Sequence, residues 1–159
     1  MKIGIISDTH GIWRPRVAEV FCGVDEIVHA GDVGASDILE KLKEIAPVLA
    51  VRGNVDNQDE TAALPGEAER EFGGVRFLVR HIGSTVETAP SDLKRLLELR
   101  KILVFVFGHS HKSYAGYLGQ TLFFNPGAAG PRRFSLPLSV ATMKLENGKI
   151  SWQFWPLEG

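Results

Sequence analysis

Apolar residues fall along the chain in short runs that stop at polar clusters. Ile3, Ile5 and Ile6 form the first run and end at Ser7-Asp8, the pattern of a buried strand. Val17, Val20 and Phe21 follow at helical spacing. Ile27-Val28 opens a second strand, which stops at Gly31-Asp32. Ile38, Leu39, Leu42 and Ile45 mark one face of a helix, with Ser36 as its expected N-cap and Pro47 beyond its end. Val48 to Val51 reads as a third strand, broken at Gly53. This alternation implies a parallel sheet with right-handed crossovers. Each of these strands leads into polar residues: Asp8-Thr9-His10, Gly31-Asp32 and Gly53-Asn54. Ligands of open α/β sheets bind outside the carboxyl ends of the strands, so the three clusters are expected to meet in one place.

The pattern continues into the second half. From Ala62 to Arg70 the chain is acidic and contains Pro and Gly, which predicts a surface loop. Glu71-Phe72, Gly73-Gly74 and Val75 to Val79 predict a hairpin. Leu93, Leu96 and Leu97 give a helical face, with a cap expected at Thr88 or Ser91. Ile102 to Phe107 is apolar throughout, as a central strand is, and ends at Gly108-His109-Ser110-His111. Tyr114 to Leu118, Thr121 to Phe124, Ser139 to Leu145 and Ile150 to Trp155 are further strands. The last two flank Asn147-Gly148, a strong hairpin signal. No repeat, linker or low-complexity segment interrupts the chain. The expectation is a single α/β domain over residues 1–159, with two sheets face to face and helices outside.

Composition narrows the function classes. With 159 residues, 44% hydrophobic and 23% charged, the chain can bury a core without disulfides. A net charge of -1 provides no global basic field, so nucleic acid is not expected as the main partner. The lone cysteine, Cys22, follows Val20 and Phe21 and is expected as a buried, inert thiol. No secretory leader and no membrane-spanning run are visible, so the cytoplasm is the expected location.

The histidines carry the chemical signal. Of the five, His10, His81, His109 and His111 fall where strands should end, together with Asp8, Asp32 and Asn54. Imidazole suits transition metals, carboxylate suits harder cations and can bridge two of them, and an asparagine carbonyl is a neutral oxygen ligand. Asp8-Thr9-His10 and His109-Ser110-His111 each place two candidate ligands at i and i+2, on one side of an extended segment. Gly31, Gly53 and Gly108 precede candidate ligands and permit close backbone approach.

Asp8-x-His10, Gly31-Asp32, Gly53-Asn54, His81 and Gly108-His109-x-His111 resemble, in this order, the motifs of the calcineurin-like metallophosphoesterase superfamily. Gly53-Asn54-Val55-Asp56 and the short length resemble its small prokaryotic phosphodiesterase branch. The motifs run from Asp8 to Asn125. The resemblance implies a four-layer α/β/β/α sandwich of two mixed sheets. It also implies two divalent cations, with manganese expected and nickel, zinc and iron as alternatives. Asp8, His10, Asp32 and His111 would hold the first, and Asp32, Asn54, His81 and His109 the second, with Asp32 shared between them. The implied reaction is hydrolysis of a phosphate ester, foremost a small phosphodiester, by a hydroxide held between the two metals. Asp32, Asn54 and His109 would carry the chemistry. Two positions depart from the family. Val55 stands where many members carry a histidine thought to protonate the leaving group, and Ile82 stands where the branch usually has glycine.

Other residues have weaker claims. Asp56 either orients a ligand or assists proton transfer, or is a helix cap or turn residue. Asn125, in Asn125-Pro126-Gly127-Ala128, resembles a family loop near the site, and Arg132 and Arg133 could grip a phosphate oxygen, so all three are candidate substrate contacts. His29 is read as structural, hydrogen-bonded to a neighbour. Trp13, Trp152 and Trp155 are read as core or subunit contacts, and the aromatic C-terminal strand would permit a homo-oligomer. The competing function is a protein-binding scaffold with weak or no catalysis, since the small subunit of retromer resembles the same branch but has a degraded metal site. Here all seven ligand positions hold suitable residues.

Overall fold

The computed structural model describes residues 1–158. In chain order the elements are β1 (Lys2–Ile6), α1 (Arg16–Val20), β2 (Glu26–His29), α2 (Ser36–Lys43), β3 (Val48–Ala50), β4 (Glu67–Phe72), β5 (Val75–Arg80), α3 (Ser91–Leu99), β6 (Val104–Val106), β7 (Tyr114–Leu118), β8 (Thr121–Asn125), β9 (Ser139–Glu146) and β10 (Lys149–Pro156). The first sheet has the order β10-β9-β1-β2-β3 and the second β4-β5-β6-β8-β7. Strands β1, β2 and β3 are parallel, as the strand–helix alternation requires, while β9 pairs antiparallel with β1 and β10 antiparallel with β9. In the second sheet β5, β6 and β8 run parallel, and β4 and β7 close the two edges antiparallel.

The period-2 alternation of each strand sorts its side chains into layers. Ile3 and Ile5 of β1 point between the sheets, against Phe77 and Val79 of β5, Val104 and Val106 of β6, and Leu122 and Phe124 of β8. Ile6 faces the other way, onto Val17 and Phe21 around α1 and Ile38 and Leu42 of α2. Leu78, Phe105 and Phe123 leave the second sheet on its outer face and meet Leu93 and Leu97 of α3. The result is four layers, α/β/β/α, with three apolar interfaces. Phe21, Phe77, Phe105, Phe123 and Phe124 are fully buried, and each contributes about 1.5–3 kcal/mol through apolar burial.

Three local expectations are corrected. The segment Glu67–Arg70 is not loop but the first part of β4. It is an edge strand with an exposed, charged face, where Glu67 pairs with Arg80 and Arg100 and Glu69 with Arg76 and Arg100. Cross-strand charge pairs therefore replace the apolar alternation that announces a strand. Ser36 and Ser91 are the first residues of α2 and α3, and neither helix has a side-chain cap hydrogen bond. Cys22 is exposed, because α1 ends at Val20 and its buried face does not reach the cysteine.

Candidate metal centre

Five strands, three from one sheet and two from the other, deliver the candidate ligands to one end of the sandwich. Asp8 and His10 follow β1, Asp32 follows β2, Asn54 follows β3, His81 follows β5, and His109 and His111 follow β6. Backbone hydrogen bonds lace these turns together: Asp8 N–H donates to Gly31 O at 3.0 Å, His10 N–H to Asp32 O at 2.9 Å, and Gly108 N–H to His81 O at 2.9 Å.

The i, i+2 pairs do not lie on extended backbone. Asp8, His10, Asp32, His109 and His111 all have positive φ, between 46° and 70°. Left-handed backbone in non-glycine residues costs about 1–2 kcal/mol each and gathers at functional sites. Turns, not strand pleat, aim these side chains inward. Two glycines let the turns close up. A Cβ at Gly53 would overlap an Asp32 carboxylate oxygen, and one at Gly108 would overlap Ser7 Oγ and lie 2.7 Å from Asp8 Oδ2.

Asp8 and Asp32 are both buried and lie among the imidazoles. Asp8 Oδ1 is 3.2 Å from His111 Nε2, 3.7 Å from His10 Nε2 and 3.8 Å from His81 Nε2. Asp32 Oδ2 is 3.1 Å from His81 Nε2 and 3.6 Å from His10 Nε2. The outer oxygens are oriented by the protein: Ser7 Oγ and His109 N–H donate to Asp8 Oδ2, and Val55 N–H donates to Asp32 Oδ1. His81 Nδ1 lies 2.8 Å from Ala30 O, to which it donates, leaving Nε2 facing the carboxylates. Asn54 Oδ1 is 3.2 Å from His109 Nδ1 at the open side.

Before any cation is bound, burial pushes the Asp8 carboxyl up, but contacts with His10 and His111 and the charge of His81 outweigh it and hold Asp8 far below the usual carboxylate range. Burial pushes Asp32 up as well, but the close His81 imidazole and the hydrogen bond from Val55 outweigh it, so Asp32 is likewise lowered. Both are therefore carboxylates at neutral pH. Burial alone would pull the His81 imidazolium down, yet Asp32 and Asp8 raise it.

These residues fit metal ions on chemical grounds. Asp8, His10 and His111 bring one donor atom each within 4.8 Å of one another, and Asp32, His81 and His109 form a second such group. Asp8 Oδ1, His10 Nε2 and His81 Nε2 are buried without a hydrogen-bond partner. Orphaned buried polar atoms cost about 1–3 kcal/mol each, and three converging on one point is the arrangement a shared cation relieves.

The other candidates are placed differently. Asn125 does not offer its amide to a substrate: it is fully buried, its Nδ2 donates to Gly108 O and Ser110 Oγ, and its Oδ1 accepts from Gly127 N–H. It braces the turn that carries His109. Arg132 pairs with Glu158, which also pairs with Arg14, and no hydrogen bond or ion pair among the described residues links Arg132 or Arg133 to the metal cluster. His29 is structural, as expected. It is fully buried, accepts from Gly31 N–H through Nδ1, and meets Thr9 Oγ1 at 3.0 Å through Nε2. Thr9 Oγ1 donates its own hydrogen bond to Val33 O at 2.7 Å. Ser7 escaped sequence reasoning, because a serine at a strand end is ordinary and nothing local marks its bond to Asp8.

A two-sheet α/β sandwich with paired Asp/His groups at one end defines a metallohydrolase-like centre. The model of the calcineurin-like phosphoesterase superfamily domain matches residues 1–148, and the chain belongs to this family. It is 34% identical to a probable metallophosphoesterase of Methanocaldococcus jannaschii, over 99% of this chain and 82% of that protein. It is 28% identical to phosphodiesterase YfcE of Escherichia coli, over 95% of this chain and 90% of that one. Among solved structures, a predicted phosphoesterase of Streptococcus pneumoniae superposes with a TM-score of 0.78 at 23% identity, covering 99% of this chain and 90% of that one. Vps29 of Chaetomium thermophilum superposes with a TM-score of 0.76 at 18% identity, covering 98% and 96%. At these identities the last two likenesses concern the fold alone. The chain is thus a metallophosphoesterase by family, with phosphodiesterases among its homologues.

Proposed function

We propose that this protein is a two-metal phosphodiesterase. The observation that carries the reading is the pair of adjoining ligand groups, Asp8-His10-His111 and Asp32-His81-His109, with orphaned donor atoms between them. Asp32 Oδ2 lies near both His10 and His81, one from each group, which supports Asp32 as the shared ligand. Asn54, beside His109, would complete the second site. When bound, divalent cations there neutralise phosphoryl oxygens and acidify water. Two carboxylates against two divalent ions leave the centre with a net charge of about +2, suited to an anionic phosphodiester.

The chain's own contributions are orientation and charge. Ser7 and the His109 amide hold Asp8, Val55 N–H holds Asp32, and Ala30 O sets the His81 tautomer. Val55 offers only its amide and aliphatic atoms, so any proton for the leaving oxygen comes from water or another group. Manganese is the metal proposed, through the family likeness; imidazole donors also suit nickel, zinc and iron. No helix among the described residues is long and apolar enough to cross a membrane. A cytoplasmic location, a small phosphodiester as substrate and self-association through the C-terminal strand belong to the same proposal. The test is to strip the metals and measure bis(p-nitrophenyl) phosphate hydrolysis with each metal restored. Metal-dependent turnover is expected. Protein that binds two equivalents of metal yet hydrolyses no diester would overturn the reading in favour of a scaffold.

A further inference from the structure

We infer that Asp56 is a positioning residue that ties the Asp32 turn to the Asn54 turn and so sets the geometry of the second cation site. Asp56 is 4% exposed, and three backbone amides point at its carboxylate. Oδ2 accepts from Val33 N–H at 3.1 Å and from Gly53 N–H at 2.9 Å, and Oδ1 accepts from Gly34 N–H at 2.9 Å. Val33 and Gly34 directly follow Asp32, and Gly53 directly precedes Asn54. One side chain therefore grips the backbone beside two candidate ligands that come from different strands.

A turn residue would satisfy only its own turn. Here two of the three bonds cross to a segment 22 and 23 residues away. The grip is also reciprocated: Val55 N–H, next to Asp56, donates to Asp32 Oδ1 at 3.0 Å. The two carboxylates thus strap the same pair of turns from opposite sides. Hydrogen bonds to an ionised acceptor are roughly twice as strong as neutral ones. They are placed where they are needed, since Asp32 has φ 55° and its left-handed backbone must be held by its surroundings. Both Asp56 oxygens are committed to amides, so Asp56 is not itself a ligand. The group it supports is Asp32, Asn54, His81 and His109. Asp8, His10 and His111 are held chiefly by Ser7 and the Gly108 turn, and meet the strapped segment only through backbone bonds to residues 31 to 33.

The inference rests on the proposed two-metal site, and the test separates the two. Manganese is titrated into metal-stripped protein, and binding is followed by calorimetry and by the exchange-coupled Mn–Mn signal in electron paramagnetic resonance. Wild type is expected to take up two equivalents. Asp56→Asn keeps the shape but turns an NH2 toward an amide N–H. It should weaken the second-site equivalent, which relies on both Asp32 and Asn54, about 10–100-fold, weaken the other by less because it shares only Asp32, and lose the coupled signal. Leu93→Ala, which loosens α3 on the far face, should lower the melting temperature and leave both affinities in place. Equal loss of both ions, or loss of neither, would overturn the inference. Amide exchange in metal-free wild type is a second arm that holds if Asp56→Asn does not fold. Val33, Gly34 and Gly53 should exchange slowly without any metal, and fast exchange there would overturn the strap. Wild type that binds fewer than two ions would refute the two-metal reading, while the exchange arm would still decide the strap.

Discussion

Gly53→Ala tests how tightly the metal centre is built. A Cβ at residue 53 would overlap both Asp32 Oδ1 and the Asp32 amide nitrogen, and would lie 2.8 Å from Asp32 Cγ. Oxygen and nitrogen rest at about 3.2 Å or more from carbon, so the Asp32 carboxylate and its backbone must retreat by about 1 Å. They have nowhere to go: Asp32 is 2% exposed, its backbone is already left-handed, and its Oδ1 is held by Val55 N–H. A misplacement near 1 Å costs about 100-fold in rate, and a displaced ligand costs about 10–100-fold in metal affinity. The expected result is kcat/KM down about 100-fold at saturating manganese, with the metal titration shifted to higher concentration. The fold should survive, because β3 ends at Ala50 and the apolar layers do not include residue 53. Overpacking of this kind costs about 1–3 kcal/mol, which is a fall of about 3–10 °C in melting temperature. The assay is metal-dependent hydrolysis of bis(p-nitrophenyl) phosphate across a manganese titration, with circular dichroism for the fold. Gly66→Ala is the comparator, because a Cβ there meets nothing closer than Arg52 Nη2 at 4.0 Å and needs no left-handed backbone. Wild-type kcat/KM in Gly53→Ala at every manganese concentration would refute the idea that this close approach holds Asp32 in its working position.

Three further outcomes are expected. Asp32→Ala should lose one bound metal and more than about 99% of turnover with the fold intact; wild-type turnover at matched metal content would refute the shared-ligand assignment. Burial lowers the His29 pKa to about 4, against the pull of the nearby carboxylates. The unfolded chain takes up this proton first, so the stability from neutral His29 is complete above pH 6.5 and is lost as pH falls toward 4, by about 3 kcal/mol in all. His81 is shifted the other way and contributes on the acid side, so the comparison is between wild type and His29→Asn in metal-free melts from pH 7 to 4.5; parallel profiles would exclude His29 as the source. At the edge strand, burial pushes Glu67 up but Arg100 and Arg80 outweigh it, and its carboxyl is lowered. These pairs are largely solvent-exposed, so Glu67→Ala should cost less than about 1 kcal/mol and the loss should shrink in high salt. A salt-independent loss above about 2 kcal/mol would show that β4 relies on Glu67 for more than surface charge.

What the chain announces by itself is its local order. Runs such as Ile3-Gly4-Ile5-Ile6 and Ile102 to Phe107 declare buried strands, because apolar period and length are properties of consecutive residues. The polar residues at their ends declare the site, because strand ends in such sheets converge. Hence the layers and all seven candidate ligands were legible before the tertiary structure was known. The edge strand at Glu67–Phe72 was not, since its stability comes from partners on β5 and after α3 rather than from its own pattern. Asn125 is nominated as a substrate contact through the resemblance of Asn125-Pro126-Gly127-Ala128 to a family loop, and only packing shows its amide spent on Gly108 and Ser110. Asp56 could be a turn residue or an orienting group on sequence alone, and the choice lay in amides more than twenty residues away. The left-handed φ of Asp8, His10, Asp32, His109 and His111 is the deepest case. Backbone strain of that kind is invisible to propensity, because it is imposed by hydrogen bonds and close contacts between turns that are distant in sequence. Sequence decided which residues could bind metal, and the tertiary structure decided how they are aimed.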